Sequence, residues 1–403
     1  MHRELPEKFL VVSHNKIKRR EVDFMKEKGF VRLLGFLAFC LICLWGMGEM
    51  KSEVQAKVKA KTETERLYEK ALRAHFKGWG TLGKSGHCYY AYAKHSYTNR
   101  KNEIMIVGLQ DTVKEIKIPE KIKGKKVTVI KLLDFREITE DIADGSAIYE
   151  KICNTKPAES KTRSIMIPRY VEEISSDSFD QQEFLANLKK FRVSSKNKHF
   201  KAKAGVLFTK NGKTLLKYPN KRKASTYRIS DGVKELSRYS FKRARVDCIF
   251  IPNSVKKIEH GAFIDSKLKK ISLPKNLRDI GSSAFAGTNL KEVAFPGSVK
   301  IIPEGCFADC SQLKKVTIKS GVKKIEAYTF VHCYQLKKLV IPSSVKSIDD
   351  PFSEEHHSES LQEDREAWHN ARIEIYAKKN SYAYQKFNKK FWREKHGIIL
   401  KLM

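Results

Sequence analysis

The cysteines are the residues of this 403-residue chain whose type and spacing could first suggest metal or redox chemistry. Six of the eight lie outside the N-terminal region: Cys88, Cys153, Cys248, Cys306, Cys310 and Cys333. Cys306 and Cys310 lack the CxxC spacing and the partner histidines of a zinc site. Cys310 and Cys333 hold equivalent positions in a repeat, which places them about 5 Å apart, within the Cα range of a disulfide. Parallel Cβ vectors aim poorly for that bond, so we expect buried free thiols.

Two adjacent histidines, His356 and His357, lie among Glu354, Glu355 and Glu359 and are a second candidate metal site. No regular helix or strand would preorganise these ligands, so we expect a solvated acidic loop and no bound metal. The chain also lacks GxSxG, HExxH, GxxxxGK[ST] and GxGxxG motifs in a suitable context. The sequence therefore predicts no enzymatic activity, no catalytic residues and no cofactor.

The charge of the chain bears on its partners. It has 80 Lys+Arg against 46 Asp+Glu, a net charge of +34, and 41% hydrophobic residues. The hydrophobic content is enough for a packed core and excludes global disorder. The excess of positive charge favours polyanions such as nucleic acid, an anionic lipid surface or a wall polymer.

The N-terminal region predicts export. Residues 33–48, LLGFLAFCLICLWGMG, form an uncharged apolar run that follows basic residues. As a helix the run would cover roughly 24 Å, which is shorter than the hydrocarbon core of a bilayer, and Ala56 suits a cleavage site. We expect residues 1–56 to be a signal peptide region, with Met25 as a candidate true start and with a retained membrane anchor as the alternative. Either way, the rest of the chain would lie outside the cytoplasm.

A repeat of 22 or 23 residues dominates the second half of the chain. Its rungs align on Pro252, Pro274, Pro296, Lys319 and Pro342, and phenylalanines recur in register at Phe263, Phe285, Phe307 and Phe330. Each rung has one short strand with alternating apolar residues and is too small for a core of its own. Stacking in register would bury a continuous apolar stripe, so the repeat predicts a solenoid.

The rung pattern LxxLxIPxxVxxIxxxAFxxC resembles the BspA-like leucine-rich repeats of bacterial surface and secreted proteins. The resemblance implies a leucine-rich-repeat solenoid: a right-handed β/α-type superhelix of mostly short parallel strands with an irregular or short helical convex side. We expect a linker and short helix over residues 57–87, repeats over 88–350 and a β-hairpin at 206–219 with a turn at Asn211-Gly212. An acidic insertion at 351–370 departs from the pattern, and residues 371–403 resemble a closing strand-helix-strand cap.

Outward strand positions form the candidate ligand-binding face. Stacking would align Lys270, Lys315 and Lys338 in a lysine ladder, beside a stripe that includes Phe250, Ser272, Thr317 and Val340. Neighbouring charges about 4.8 Å apart repel by roughly 0.9 kcal/mol in water, and a polyanion would relieve this repulsion. The alternative is that these lysines are only solubilising surface.

These features together predict a non-enzymatic extracytoplasmic binding module. The resemblance implies a bacterial cell-surface or secreted protein that contacts a protein or glycan, with adhesion as its role. The alternative is an envelope-associated structural protein held by its charge to an anionic wall polymer. We expect no nucleic-acid partner, and membrane contact only through an uncleaved N-terminal segment.

Overall fold

The computed structural model describes residue 66 and residues 69–75, 82–92, 103–110, 113–133, 161–179, 187–222, 224–352 and 372–403. The apolar run at 33–48, the cleavage site and Met25 lie outside these residues, as do Cys153 and the histidine pair of the acidic insertion. Within the described part of the chain, no helix is both long and apolar enough to cross a membrane.

Short strands supply most of the regular secondary structure of the described residues. In the N-terminal part these are β1 (Gly83–Ser85), β2 (Cys88–Tyr92), β3 (Ile104–Leu109), β4 (Glu115–Lys117), β5 (Lys121–Ile122), β6 (Lys125–Ile130), β7 (Ser164–Ile167), β8 (Glu173–Ile174) and β9 (Lys190–Val193). The middle part has β10 (Phe200–Lys203), β11 (Val206–Thr209), β12 (Thr214–Lys217), β13 (Thr226–Arg228), β14 (Glu235–Leu236), β15 (Cys248–Phe250), β16 (Lys257–Ile258), β17 (Lys270–Ser272) and β18 (Asp279–Ile280). The C-terminal part has β19 (Glu292–Phe295), β20 (Ile301–Ile302), β21 (Lys315–Ile318), β22 (Lys324–Ile325), β23 (Lys338–Ile341), β24 (Ser347–Ile348), β25 (Glu374–Ala377) and β26 (Ile399–Leu402).

Each rung of the repeat contributes one strand to a main side and a shorter strand to a second side. On the main side, β13, β15 and β17 pair in parallel, and so do β19, β21, β23, β25 and β26. On the second side, β14, β16 and β18 form one parallel run and β20, β22 and β24 another. Parallel pairing of successive rungs at the repeat spacing confirms the predicted solenoid.

The apolar repeat positions fill one continuous core from Val206 to Ile398. A column of aromatic rings, one per rung, runs through this core from Tyr218 to Phe352. The ring centroids of Phe241 and Phe263 are 5.1 Å apart, those of Phe263 and Phe285 are also 5.1 Å apart, and those of Phe285 and Phe307 are 5.4 Å apart. The four phenylalanines predicted to recur in register are all fully buried in this column.

The N-terminal part has its own core and a helical cover. Strands β1, β2, β3 and β6 form a mixed sheet, and residues 69–75 are helical (α1). Ala71 and Leu72 of α1 are buried in one cluster with Tyr89 of β2 and Val107 of β3. Helix α1 therefore packs on the first sheet of the solenoid.

Two segments depart from the regular rung. Strands β11 and β12 pair antiparallel, and β10 adds a third antiparallel strand beside β11. The loop of the hairpin is four residues long rather than the expected two, and only Gly212 within it has a positive φ, of 73°. At the C-terminal end, β25 and β26 are parallel and are joined by two short helices, α2 (Tyr382–Phe387) and α3 (Lys390–His396).

Candidate ligand-binding face

The outward surface of the main side consists of two columns of side chains, because alternate residues of a strand point to the same face. The first column runs through Cys248, Lys270, Glu292, Lys315, Lys338 and Glu374. The second runs through Arg228, Phe250, Ser272, Ala294, Thr317, Val340, Tyr376 and Lys401. All seven residues of the predicted face thus lie in these columns, although β17 and β19 are assigned to separate sheets.

Phe250 is the most prominent apolar side chain of the face. It sits on a strand with 41% of its surface exposed, while Ile249 beside it is buried. The guanidinium carbon of Arg228, on the preceding rung, lies 4.6 Å from the centroid of the Phe250 ring. A cation over an aromatic face is attracted by the ring quadrupole, so Arg228 holds one side of this ring.

A flat stripe follows Phe250 along the second column. Ser272 and Ala294 are exposed, and Thr317 and Val340 are half-buried. The stripe ends at Tyr376, about 24 Å from Phe250 if five strand spacings are counted. Small side chains bounded by two aromatic rings leave room for an extended or flat ligand.

Acidic residues interrupt the predicted lysine ladder. Glu292 takes the position between Lys270 and Lys315, and its carboxylate lies 3.6 Å from the Lys315 amine. Glu374 follows Lys338 in the register. The ladder therefore carries mixed charge, and the repulsion expected from a row of lysines is partly neutralised within the protein.

The ring of Tyr376 organises the C-terminal end of the face. The Lys338 amine lies 4.1 Å from the ring centroid, and the Tyr376 hydroxyl donates a 2.8 Å hydrogen bond to the Glu374 carboxylate. That hydrogen bond raises the pKa of Tyr376 above its usual value. The Lys401 amine is 4.0 Å from the same carboxylate. Glu374, Tyr376 and Lys401 lie in the predicted C-terminal cap, although Ile373, Ile375 and Ala377 alternate inward and so direct the residues between them outward.

The cysteines form no disulfide in the described chain, and the free thiols expected of Cys310 and Cys333 are confirmed. Cys310 donates a hydrogen bond of 3.2 Å to the Phe285 carbonyl, and Cys333 donates one of 2.9 Å to the Phe307 carbonyl. Burial raises the pKa of the Cys333 thiol well above its usual value. Cys333 therefore acts as a neutral donor to the previous rung. The described residues contain no group of three or more metal-ligating side chains.

Comparison with known proteins identifies the repeat. Residues 234–356 match the sequence model of the BspA type leucine rich repeat region, in six copies. The predicted resemblance to BspA-like leucine-rich repeats is confirmed over these residues, and the rest of the predicted span, 88–233 and 357–403, lies outside the match. None of the curated proteins matches the chain.

Several solved bacterial structures are similar. A leucine-rich repeat protein from Eubacterium ventriosum is 27% identical, with a TM-score of 0.48 over 59% of this chain and 57% of that protein. The chain thus spans little more than half of the length of that relative. The pneumococcal vaccine antigen PcpA is 17% identical over 80% of this chain and 99% of its own, with a TM-score of 0.41. A leucine rich cell surface protein from Faecalibacterium prausnitzii is 17% identical over 69% of this chain and 96% of its own, with a TM-score of 0.34.

Proposed function

We propose that this chain, whose BspA-type leucine-rich repeats form a solenoid, is a non-enzymatic exported binding module. Its ligand is a protein or a glycan that contacts the outward face of the main side. The observation that carries the proposal is Phe250, an aromatic side chain that is 41% exposed on a strand and is braced by Arg228. Aromatic residues and arginine are the types that dominate binding energy at interfaces, so an exposed pair of them marks a contact point.

The stripe between Phe250 and Tyr376 favours an extended ligand over a compact one. Aromatic rings at both ends can stack on sugar rings or on the side chains of a partner. The charged groups beside them, Lys338, Glu374 and Lys401, supply hydrogen bonds of both polarities. A surface of mixed charge confers selectivity through complementary pairs and does not simply attract any polyanion.

The export part of the proposal rests on the sequence of residues 1–56, with an apolar run after basic residues. Surface attachment and adhesion are what the repeat family suggests. Outside the cell, a binding face without catalytic groups would serve for attachment or recognition.

An array experiment tests the binding face. Fluorescently labelled full chain is applied to an array of printed glycans and purified extracellular-matrix proteins, together with the variants Phe250→Ala and Tyr376→Ala. Ile301→Ala is the matched control, because Ile301 is 45% exposed but lies on the second side. We expect the two face variants to lose about tenfold or more in affinity for any bound ligand, and the control to bind as the wild type does. Equal losses in all three variants, or no ligand at all, would contradict the proposal.

A second function is favoured by the net charge of +34. It is envelope association through an anionic wall polymer, which would appear as cell association that salt reverses. The interrupted ladder of Lys270, Lys315 and Lys338 is a weak candidate for that contact, because Glu292 and Glu374 share its column.

A further inference from the structure

A second row of basic residues lies on the other side of the solenoid. One position before each short strand of the second side, six successive rungs carry Lys or Arg: Lys234, Lys256, Arg278, Lys300, Lys323 and Lys346. We name these six residues the cationic column. All of them are exposed, and no other residue type takes the position in any of the six rungs.

Backbone hydrogen bonds hold the cationic column in register. The Lys256 amide donates to the Lys234 carbonyl at 2.8 Å, and the Arg278 amide donates to the Lys256 carbonyl at 2.9 Å. Further along, the Lys323 amide donates to Lys300 at 2.7 Å, and the Lys346 amide donates to Lys323 at 2.8 Å. Five steps at the strand spacing give a row of charge about 24 Å long.

Four acidic residues nearby, Glu235, Glu259, Glu326 and Asp349, pair with lysines that directly follow members of the column. Lys257 lies 2.5 Å from Glu259 and 3.8 Å from Glu235. Lys324 makes the equivalent contacts, 3.3 Å from Glu326 and 3.2 Å from Asp349. Within the described residues, none of the six members of the cationic column forms a salt bridge. In the ladder of the main face, Glu292 offsets part of the positive charge. The cationic column contains no acidic residue that would do so.

We propose that the cationic column binds a flexible, linear polymer of phosphate groups that carries no aromatic bases, an inference that rests on the second function above. Five of the six cations are lysines, whose ammonium groups act as adaptable point charges and do not demand the planar geometry that suits arginine. A regular row of charge matches a polymer with regular charge and fits a single anion poorly.

The side chains around the column explain why bases are excluded. Two positions before each cation the residues are Gly232, Ser254, Asn276, Ser298, Gly321 and Ser344, and one position after it they are Glu235, Lys257, Asp279, Ile301, Lys324 and Ser347. None of them is aromatic. Single-stranded nucleic acid is held by base stacking on aromatic side chains as well as by charge. The hydroxyls of Ser254 and Ser344 and the side-chain amide of Asn276 can instead donate to phosphate oxygens.

The test compares two triple variants of the full chain in binding linear poly(glycerol phosphate) of defined lengths. One variant changes Lys256, Lys300 and Lys323 to Gln, and the other changes Lys270, Lys315 and Lys338 to Gln. Both lower the net charge equally, from +34 to +31, that is 34 − 3. Far-UV circular dichroism confirms that both variants remain folded.

We expect the column variant to lose about tenfold or more in affinity at low salt, and the face variant less than about threefold. Each phosphate contact contributes roughly −0.7 to the slope of log affinity against log salt for a flexible strand, so six contacts give about −4 and three give about −2. In the column variant alone, the slope should change from about −4 to about −2. Affinity should also rise with polymer length until the chain covers about 24 Å, and then level off.

The possible failures are distinguishable. If wild type does not bind the polymer, both this inference and the second function are wrong. If both triple variants lose affinity equally, the polymer binds through net charge and the cationic column has no special role, while the second function stands. If single-stranded oligodeoxythymidylate of equal charge binds more tightly with the same dependence on the column, the assignment to a base-free polymer is overturned.

Discussion

Replacing Phe285 by alanine tests the stacked core most directly. The Phe285 ring is fully buried, and it lies between the rings of Phe263 at 5.1 Å and Phe307 at 5.4 Å, tilted by 6° and 11° respectively. The substitution removes a ring that both neighbours contact. Because each neighbour is fixed by its own rung, the stack has little freedom to close the gap, and a cavity remains.

We expect Phe285→Ala to lower the free energy of unfolding by about 3–5 kcal/mol, the range for truncation of a buried aromatic side chain to alanine. Urea denaturation followed by far-UV circular dichroism measures this loss. With a slope of about 3 kcal/mol per molar urea, the midpoint falls by roughly 1–1.7 M.

The control is Lys300→Ala, an exposed change one rung away that we expect to alter stability by no more than about 0.5 kcal/mol. If Phe285→Ala and Lys300→Ala unfold at the same urea concentration, the stacked register of the phenylalanines is refuted.

Three further predictions concern export, the buried thiols and the ladder. N-terminal sequencing of the extracellular fraction should find a mature chain that begins near Lys57; recovery of intact cytoplasmic chain alone would rule out secretion. Burial raises the pKa of Cys88 from 9.0 to about 12. As pH rises, the thiol ionises in the unfolded chain before it ionises in the folded protein. The contribution of the buried Cys88 thiol to the free energy of unfolding is therefore complete below about pH 9, and it should decline towards pH 12 by about 1.4 kcal/mol per pH unit. The decline should be smaller in Cys88→Ala, and an unchanged pH profile of unfolding would contradict this account. Glu292→Gln leaves Lys315 without its partner, so it should strengthen the salt dependence of polyanion binding to the main face, and an unchanged salt slope would show that the ladder takes no part.

The fold could be predicted from the sequence because each rung repeats the same buried positions. Phe263, Phe285 and Phe307 recur 22 residues apart, and a strict period leaves one way to stack them. The assignment of residues to the outward face was less complete where the repeat period changes. From Lys338 to its partner Glu374 the spacing is 36 residues, so neither Glu374 nor Tyr376 could be assigned to the face by counting.

The charge pattern of the surface was predicted less well, since an ion pair depends on the rung above and the rung below. The repeat spacing aligns Glu292 with Lys315, but only the structure shows that their side chains form an ion pair. Arg228 was within reach of the sequence, because it precedes Phe250 by 22 residues, one repeat length. The less regular rung around it, which lacks the usual proline, concealed the match.

In a solenoid, equivalent positions of successive rungs stack into a line on the surface. The charges at one position of the repeat therefore act together as a row. An acidic residue at one rung interrupts a line of cations for its neighbours on both sides, because strand spacing is well inside the screening length of physiological salt. Glu292 interrupts the ladder of the main face in this way, and that face is suited to a partner of mixed chemistry. The cationic column from Lys234 to Lys346 has no acidic residue among its six positions, and four acids beside it pair with Lys257 and Lys324. One chain with a net charge of +34 thus presents two different surfaces: a mixed face on which aromatic anchors can select a ligand, and a continuous row of charge that can hold a polymer.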